Sequence, residues 1–70
     1  MQVPVDPEEK AAWIKYQLNK KNLSYSAIAR QENVSRETPR RALYRSYPRM
    51  EKVIAEALGM TPEEIWPERY

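Results

Sequence analysis

Apolar residues recur along this chain at the three- and four-residue spacing of an α-helix, and prolines, asparagines and capping residues interrupt them. Ala11, Ile14 and Leu18 form the first stripe. Asp6 is placed to accept the free amide of Glu9, Pro7 suits a first helical position, and Glu8 and Glu9 suit the positive end of the helix dipole. Lys20, Lys21 and Asn22 form a stop, so the pattern predicts a helix from Pro7 to about Lys21. Ser24 then caps a short second helix, Tyr25 to about Glu32, with Ala27, Ile28 and Gln31 facing inward. Asn33 is the residue of this stretch that takes positive φ most readily, and Val34 follows as an apolar anchor.

A third helix is predicted from Ser35 or Arg36 to Ser46, with Pro39, Ala42 and Leu43 on its buried side. Proline is tolerated only in a first turn, so Thr38 and Pro39 are an alternative cap and first position. Pro48 opens a fourth helix in which Met50, Val53, Ile54, Ala57 and Leu58 give the cleanest amphipathic pattern of the chain. Gly59 ends it, and Thr61-Pro62-Glu63-Glu64 is a capping box for a last short helix carrying Ile65 and Trp66. The expected fold is all-α, five helices in one domain over residues 1–70, with a helix-turn-helix motif at about Tyr25–Ser46 and the first five residues disordered.

Composition narrows the chemistry. The 70 residues suffice for one domain with a small core, and the chain has no cysteine and no histidine. Disulfides are thus excluded and a thiolate- or imidazole-ligated metal site is not expected. With no histidine base, cysteine nucleophile or glycine-rich phosphate loop, the chain does not read as an enzyme, and no cofactor or small-molecule ligand is implied. The pairs Glu8/Glu9 and Glu63/Glu64 do not make a catalytic dyad, because adjacent helical residues diverge and both pairs sit where helix starts favour acids. No apolar run approaches the roughly 18 residues of a membrane span, and residues 1–6 lack the pattern of a signal peptide. The expected compartment is the cytoplasm, with association to the nucleoid.

The net charge of +2 is small, but its distribution is uneven. Residues 36–49 carry Arg36, Arg40, Arg41, Arg45 and Arg49 against Glu37, whereas residues 50–70 carry five acids against two bases. Two short helices meeting across Asn33 and Val34, the second with an arginine face, suit a DNA major groove: arginine reads guanine edges and clamps phosphates. Ser24 and Ser35, at helix starts, could serve phosphate oxygens. Each feature has a plainer reading. An arginine face can be merely solvated, Ser24 caps a helix in any protein, and Trp13 and Trp66 read as core residues. Tyr44 and Tyr47 either pack between helices or touch phosphate.

At this point the chain resembles the Ner family of phage and prophage regulators, which includes the bacterial Nlp-type sugar fermentation stimulation proteins. The resemblance runs from about Trp13 to Tyr70. Its most specific part is Ile65-Trp66-Pro67-Glu68-Arg69-Tyr70, similar to the family's Ile-Trp-Pro-x-Arg-Tyr ending. Leu23-Ser24-Tyr25-Ser26-Ala27-Ile28-Ala29-Arg30-Gln31 resembles its first motif helix, and Ala42-Leu43-x-Arg45-x-x-Pro48 and Ile54-Ala55-x-Ala57-Leu58 fall in register.

The resemblance implies a five-helix, lambda-repressor-like domain that represses early transcription by occupying operators in double-stranded DNA. By position in the motif, Ser35, Arg36, Glu37, Arg40 and Arg41 would face base edges, and Ser24, Tyr44, Arg45 and Arg49 would face phosphate. Glu37 either accepts from a cytosine amino group or caps the helix. Three residues depart from the general motif: Asn33 replaces glycine, Glu32 stands at an apolar position, and Pro39 replaces a branched apolar residue. With no long heptad seam after the motif, the expected state is a monomer or weak dimer, cooperative on adjacent sites. The competing reading is a helical protein–protein module with no DNA specificity of its own, using the acidic segment Glu51 to Glu68 as its contact face.

Overall fold

A computed structural model describes residues 3–70. The described chain forms α1 (Pro7–Lys20), α2 (Tyr25–Gln31), α3 (Glu37–Tyr44), α4 (Pro48–Leu58) and α5 (Pro62–Ile65), then a 3₁₀ turn at Pro67–Arg69. No strand occurs among the described residues. Of the five residues expected to be disordered, Met1 and Gln2 lie outside the described part; Val3 packs against the core and Val5 is exposed.

One device ends three of the helices. Asn22, Asn33 and Gly59 have φ of 60°, 59° and 71°, the left-handed conformation that reverses the chain after a helix. After each of them the next amide reaches back to a carbonyl of the last turn: Leu23 to Leu18, Val34 to Ala29 and Met60 to Ala55, all at 2.9 Å. The left-handed residues' own amides also bond back, Asn22 to Asn19, Asn33 to Arg30 and Gly59 to Glu56, and Leu23, Val34 and Met60 pack on the core, so every turn is held by paired hydrogen bonds and one apolar anchor. The starts are equally local. Asp6 accepts the Glu9 amide at 3.1 Å, Ser24 accepts that of Ala27 at 3.1 Å, and Thr61 with Glu64 forms a reciprocal capping box.

The core is built from Ile14 and Leu18 of α1, Ile28 of α2, Ala42 and Leu43 of α3, Met50, Ile54 and Ala55 of α4, and Ile65 with Trp66. Trp66 is fully buried and Trp13 packs at the edge. α1 packs on α3 and α4, α2 on α3, and α3 on α4, so α3 touches three other helices through its Pro39–Ala42–Leu43 side.

Two inward faces differ from the periodicity reading. Gln31 is exposed, and the buried stripe of α2 is Ile28 with Ala29. At 100° per residue, Gln31 lies about 110° from the centre of that stripe. On α4 the buried stripe is Met50, Glu51, Ile54, Ala55 and Leu58, leaving Val53 and Ala57 half-buried. It is rotated because residues 66–70 cover the side of α4 that carries Glu51.

α3 is also shorter than the sequence pattern suggests. It opens at Glu37, not at Thr38–Pro39, with Pro39 buried as the third residue of the first turn, where no amide donor is needed. It closes at Tyr44, and Arg45 is already extended at φ −137° and ψ 151°. Ser46 lies outside the helix, because Tyr47 must be non-helical before Pro48.

Candidate nucleic-acid interface

The turn between α2 and α3 sets the motif. Asn33 donates its amide to Arg30 O at 3.2 Å and Val34 donates to Ala29 O at 2.9 Å, which closes α2 within three residues and redirects the chain. Glu32, at the usual apolar position, is half-buried and faces Arg49 of α4 at 3.8 Å.

Five residues expected at base edges, Ser35, Arg36, Glu37, Arg40 and Arg41, are all exposed at the start and along the outer side of α3. Arg36, Arg40 and Tyr44 follow one another at four-residue intervals, and Glu37 and Arg41 form a parallel row. Arg36, Arg40, Arg41 and Arg45 take part in none of the ion pairs formed among the described residues, so their charge faces outward. Ser35 does not cap α3: its hydroxyl lies 3.3 Å from that of Thr38, and its carbonyl accepts the Thr38 amide at 3.0 Å. Glu37 contributes a first-turn carboxylate, favourable at that end of the helix.

The residues expected at phosphate are more scattered. Ser24 and Arg40 line one cleft between α1, α2 and α3, together with Lys15, Asn19, Tyr25 and Ser26. Ser24 accepts from Ala27, which leaves its hydroxyl proton free to donate outward. Tyr44 is 58% exposed, and Arg45 is exposed just beyond α3. Arg49 is the exception, since its nearest acid is Glu32 of the motif turn. Tyr47, left open between two roles, is half-buried, packs on the core and donates its amide to Glu51 at 2.7 Å.

Sequence reasoning passed over Lys15 and Arg30. Lys15 joins the Arg40 cleft from α1, one turn before Asn19, and Arg30 borders a second recess with Ser26, Val34 and Arg36. Both sit on predicted helices and outside the arginine-rich segment, so only the packing of α1 and α2 brings them beside α3. Tyr25 anchors this cleft by donating to Ala11 O at 2.8 Å. Burial pushes its phenol well above the ordinary tyrosine value, the neighbouring Tyr44 adds to this, and Arg40 opposes it.

The other end of α3 is held by the C-terminal segment. Arg69 donates to Ala42 O at 2.6 Å and to Leu43 O at 3.1 Å, two carbonyls of the last turn of α3. It also donates to Glu51 Oε2 at 2.9 Å and stacks over Trp66 at 5.2 Å. Glu51, buried in α4, further accepts the Tyr47 amide at 2.7 Å and the Tyr70 hydroxyl at 2.6 Å. Burial alone would push this carboxyl up, but the hydrogen bonds from Tyr70, Tyr47 and Arg69, with the Arg69 charge, hold it below the usual carboxylate range.

Set against known proteins, residues 9–70 match the winged helix-turn-helix DNA-binding family. A negative regulator of transcription from Escherichia phage D108 is 48% identical over 54 residues, covering 77% of this chain and 74% of that protein. Its namesake from Escherichia phage Mu is 47% identical over 53 residues, covering 76% and 71%. The Mu-like prophage FluMu DNA-binding protein Ner of Haemophilus influenzae is 39% identical over 54 residues, covering 77% of this chain and 61% of that protein. The helical fold, the exposed arginines of α3 and these matches agree: the chain belongs to the winged helix-turn-helix DNA-binding family and is a homologue of the Ner-like negative regulators of Mu-like phages.

Proposed function

We propose that the protein is a sequence-specific transcriptional repressor of phage or prophage type, which binds double-stranded DNA by laying α3 in the major groove. One observation carries this reading: α3 is buried through Pro39, Ala42 and Leu43 and presents Arg36, Arg40 and Arg41 outward, unpaired within the fold. Membership of a DNA-binding family, and relatives named as negative regulators of transcription, support it.

In this reading Ser35, Arg36, Glu37, Arg40 and Arg41 face base edges, and an arginine bidentate to guanine is worth about 1–3 kcal/mol of discrimination. Ser24, Tyr44 and Arg45, joined by Lys15, hold phosphate. Arg49 can join them, because an exposed ion pair such as that with Glu32 holds it by no more than about 1 kcal/mol. The protein acts as a monomer or weak dimer, with adjacent copies cooperating on neighbouring sites. Binding needs no cofactor, metal or small-molecule effector, and no catalytic step follows it. The site of action is the cytoplasm, at the nucleoid.

The test is fluorescence anisotropy with a duplex from upstream of the gene beside a shuffled duplex, at two salt concentrations. The upstream duplex is expected to bind about a thousandfold tighter or more, with affinity falling steeply as salt rises. Arg40→Ala with Arg41→Ala is expected to weaken binding by about 1–3 kcal/mol for each base-reading arginine and to relax specificity. Failure of the wild-type chain to bind either duplex at low salt would overturn the reading in favour of a protein partner.

A further inference from the structure

α3 lacks the side-chain N-cap that Ser24 gives α2. α3 has eight residues, and so short a helix is unstable on its own. Its direction must come from what grips it. One grip is the apolar side formed by Pro39, Ala42 and Leu43. The other is Arg69, whose two terminal nitrogens divide their hydrogen bonds between the Ala42 and Leu43 carbonyls while one of them also meets Glu51 of α4. The planar guanidinium thereby fixes the last turn of α3 against α4 in both distance and rotation. Glu51 is in turn held by the Tyr47 amide at the start of α4 and by the Tyr70 hydroxyl. Arg69 has a side chain only 15% exposed, and three of its five N–H donors are committed to Ala42, Leu43 and Glu51, so its guanidinium is directed into the fold rather than towards phosphate.

From this geometry we infer that Arg69 is a positioning residue for base reading: by spanning the carbonyls of Ala42 and Leu43 and the carboxylate of Glu51, it sets the angle at which α3 enters the groove, and so governs discrimination between sequences without touching DNA. This rests on the reading of α3 as the base-reading helix. A side chain that clamps phosphate changes affinity for every duplex alike and changes the salt slope. One that aims the reading helix affects only contacts that need exact placement, the bidentate ones to base edges.

The experiment uses the full chain and a duplex recovered by the wild-type protein from a random pool, with a shuffled duplex as reference. Arg40→Ala is the control for base reading. Arg69→Lys is the main variant: it keeps a positive charge near Glu51 but cannot span two carbonyls. Tyr70→Phe is a milder variant, removing one donor to Glu51. Circular dichroism at low temperature verifies that each is folded during binding, and Arg69→Ala is added if it folds.

Arg69→Lys is expected to lower the ratio of selected to shuffled affinity by about five- to 150-fold, the range of one lost bidentate contact. Shuffled-duplex affinity and salt slope are expected to stay within about twofold of wild type. Tyr70→Phe should lower the ratio less. Arg69→Lys combined with Arg40→Ala should lose less than the sum of the separate losses, because both act on the same contact. An unchanged ratio in folded Arg69→Lys, or an equal loss on both duplexes, overturns the positioning role. If Arg69→Lys does not fold, Tyr70→Phe decides by the same criteria. If Arg40→Ala also leaves the ratio unchanged, base reading by α3 itself has failed. A reduced ratio for Arg40→Ala with no change for Arg69→Lys removes the positioning role alone.

Discussion

Replacing Glu51 by glutamine isolates the network behind α3, because it removes one charge at almost constant shape. The carboxylate is fully buried and accepts three hydrogen bonds: from the Tyr47 amide, from Arg69 and from the Tyr70 hydroxyl. A glutamine has one acceptor oxygen, and its amide group faces donors where the second carboxylate oxygen was. At least one charge-assisted bond is lost, and Arg69 loses its counter-charge. Bonds to charged groups contribute about 1.5–3 kcal/mol each, and breaking a buried ion pair costs about 3–5 kcal/mol. Since Arg69 keeps its two carbonyl partners, the expected loss is about 2–4 kcal/mol at neutral pH. A chain of 70 residues has only roughly 4–10 kcal/mol in total, so the effect is large. The linkage has a definite sign. The folded carboxyl lies below its ordinary value, so its contribution is complete above the unfolded carboxylate pKa and disappears as pH falls through the folded one. Urea unfolding followed by tryptophan fluorescence, from pH 7 down to pH 3, should show wild type losing stability in acid and Glu51→Gln losing less of it. A variant within about 0.5 kcal/mol of wild type at pH 7, with the same acid slope, would refute the network as a stabilising element.

Further changes test separate local arguments. Asn33→Ala should destabilise by about 1 kcal/mol, because a Cβ residue without a short polar group resists positive φ, whereas Asn33→Gly should stay within about 0.5 kcal/mol; urea midpoints give both. Lys10 is buried and its ammonium meets Glu68 at 2.9 Å, but that carboxylate is half exposed, so Lys10→Met should change stability by less than about 1 kcal/mol. Lys10→Ala, which also deletes the buried stem, should cost more, by thermal unfolding of the two variants side by side.

Most elements were legible because their signals are local. Caps at Asp6, Ser24 and Thr61, and left-handed stops at Asn22, Asn33 and Gly59, depend on neighbours within a few residues, and each acts as its residue type suggests. The outward face of α3 was equally legible, since Pro39, Ala42 and Leu43 can share only one side of a helix. Inward faces of short helices were less so. In the seven residues of α2, periodicity cannot separate Ala29 from Gln31 as the buried neighbour of Ile28, and the packing of α2 on α3 decides it. The Lys15–Arg40 cleft was hidden because it joins residues far apart in sequence on different helices.

Glu51 and Arg69 show a different limit. Each looks like ordinary surface charge in sequence, and the fold buries Glu51 and half-buries Arg69, paired across 18 positions. The Ile65–Tyr70 ending thus has a physical role apart from family likeness: Ile65 and Trp66 fill the core, and Arg69 and Tyr70 carry the polar bonds that join α3 to α4. The arginines therefore divide by partner rather than by type. Those of α3 face outward with no acid to hold them, while Arg69 is spent on the backbone of the same helix. α3 is held by its apolar side and by these few hydrogen bonds, so on the proposed role of Arg69 stability and discrimination draw on the same polar network. Acid that protonates Glu51, or a substitution that displaces Arg69, weakens both together, and sequence discrimination should fail before general affinity for duplex does.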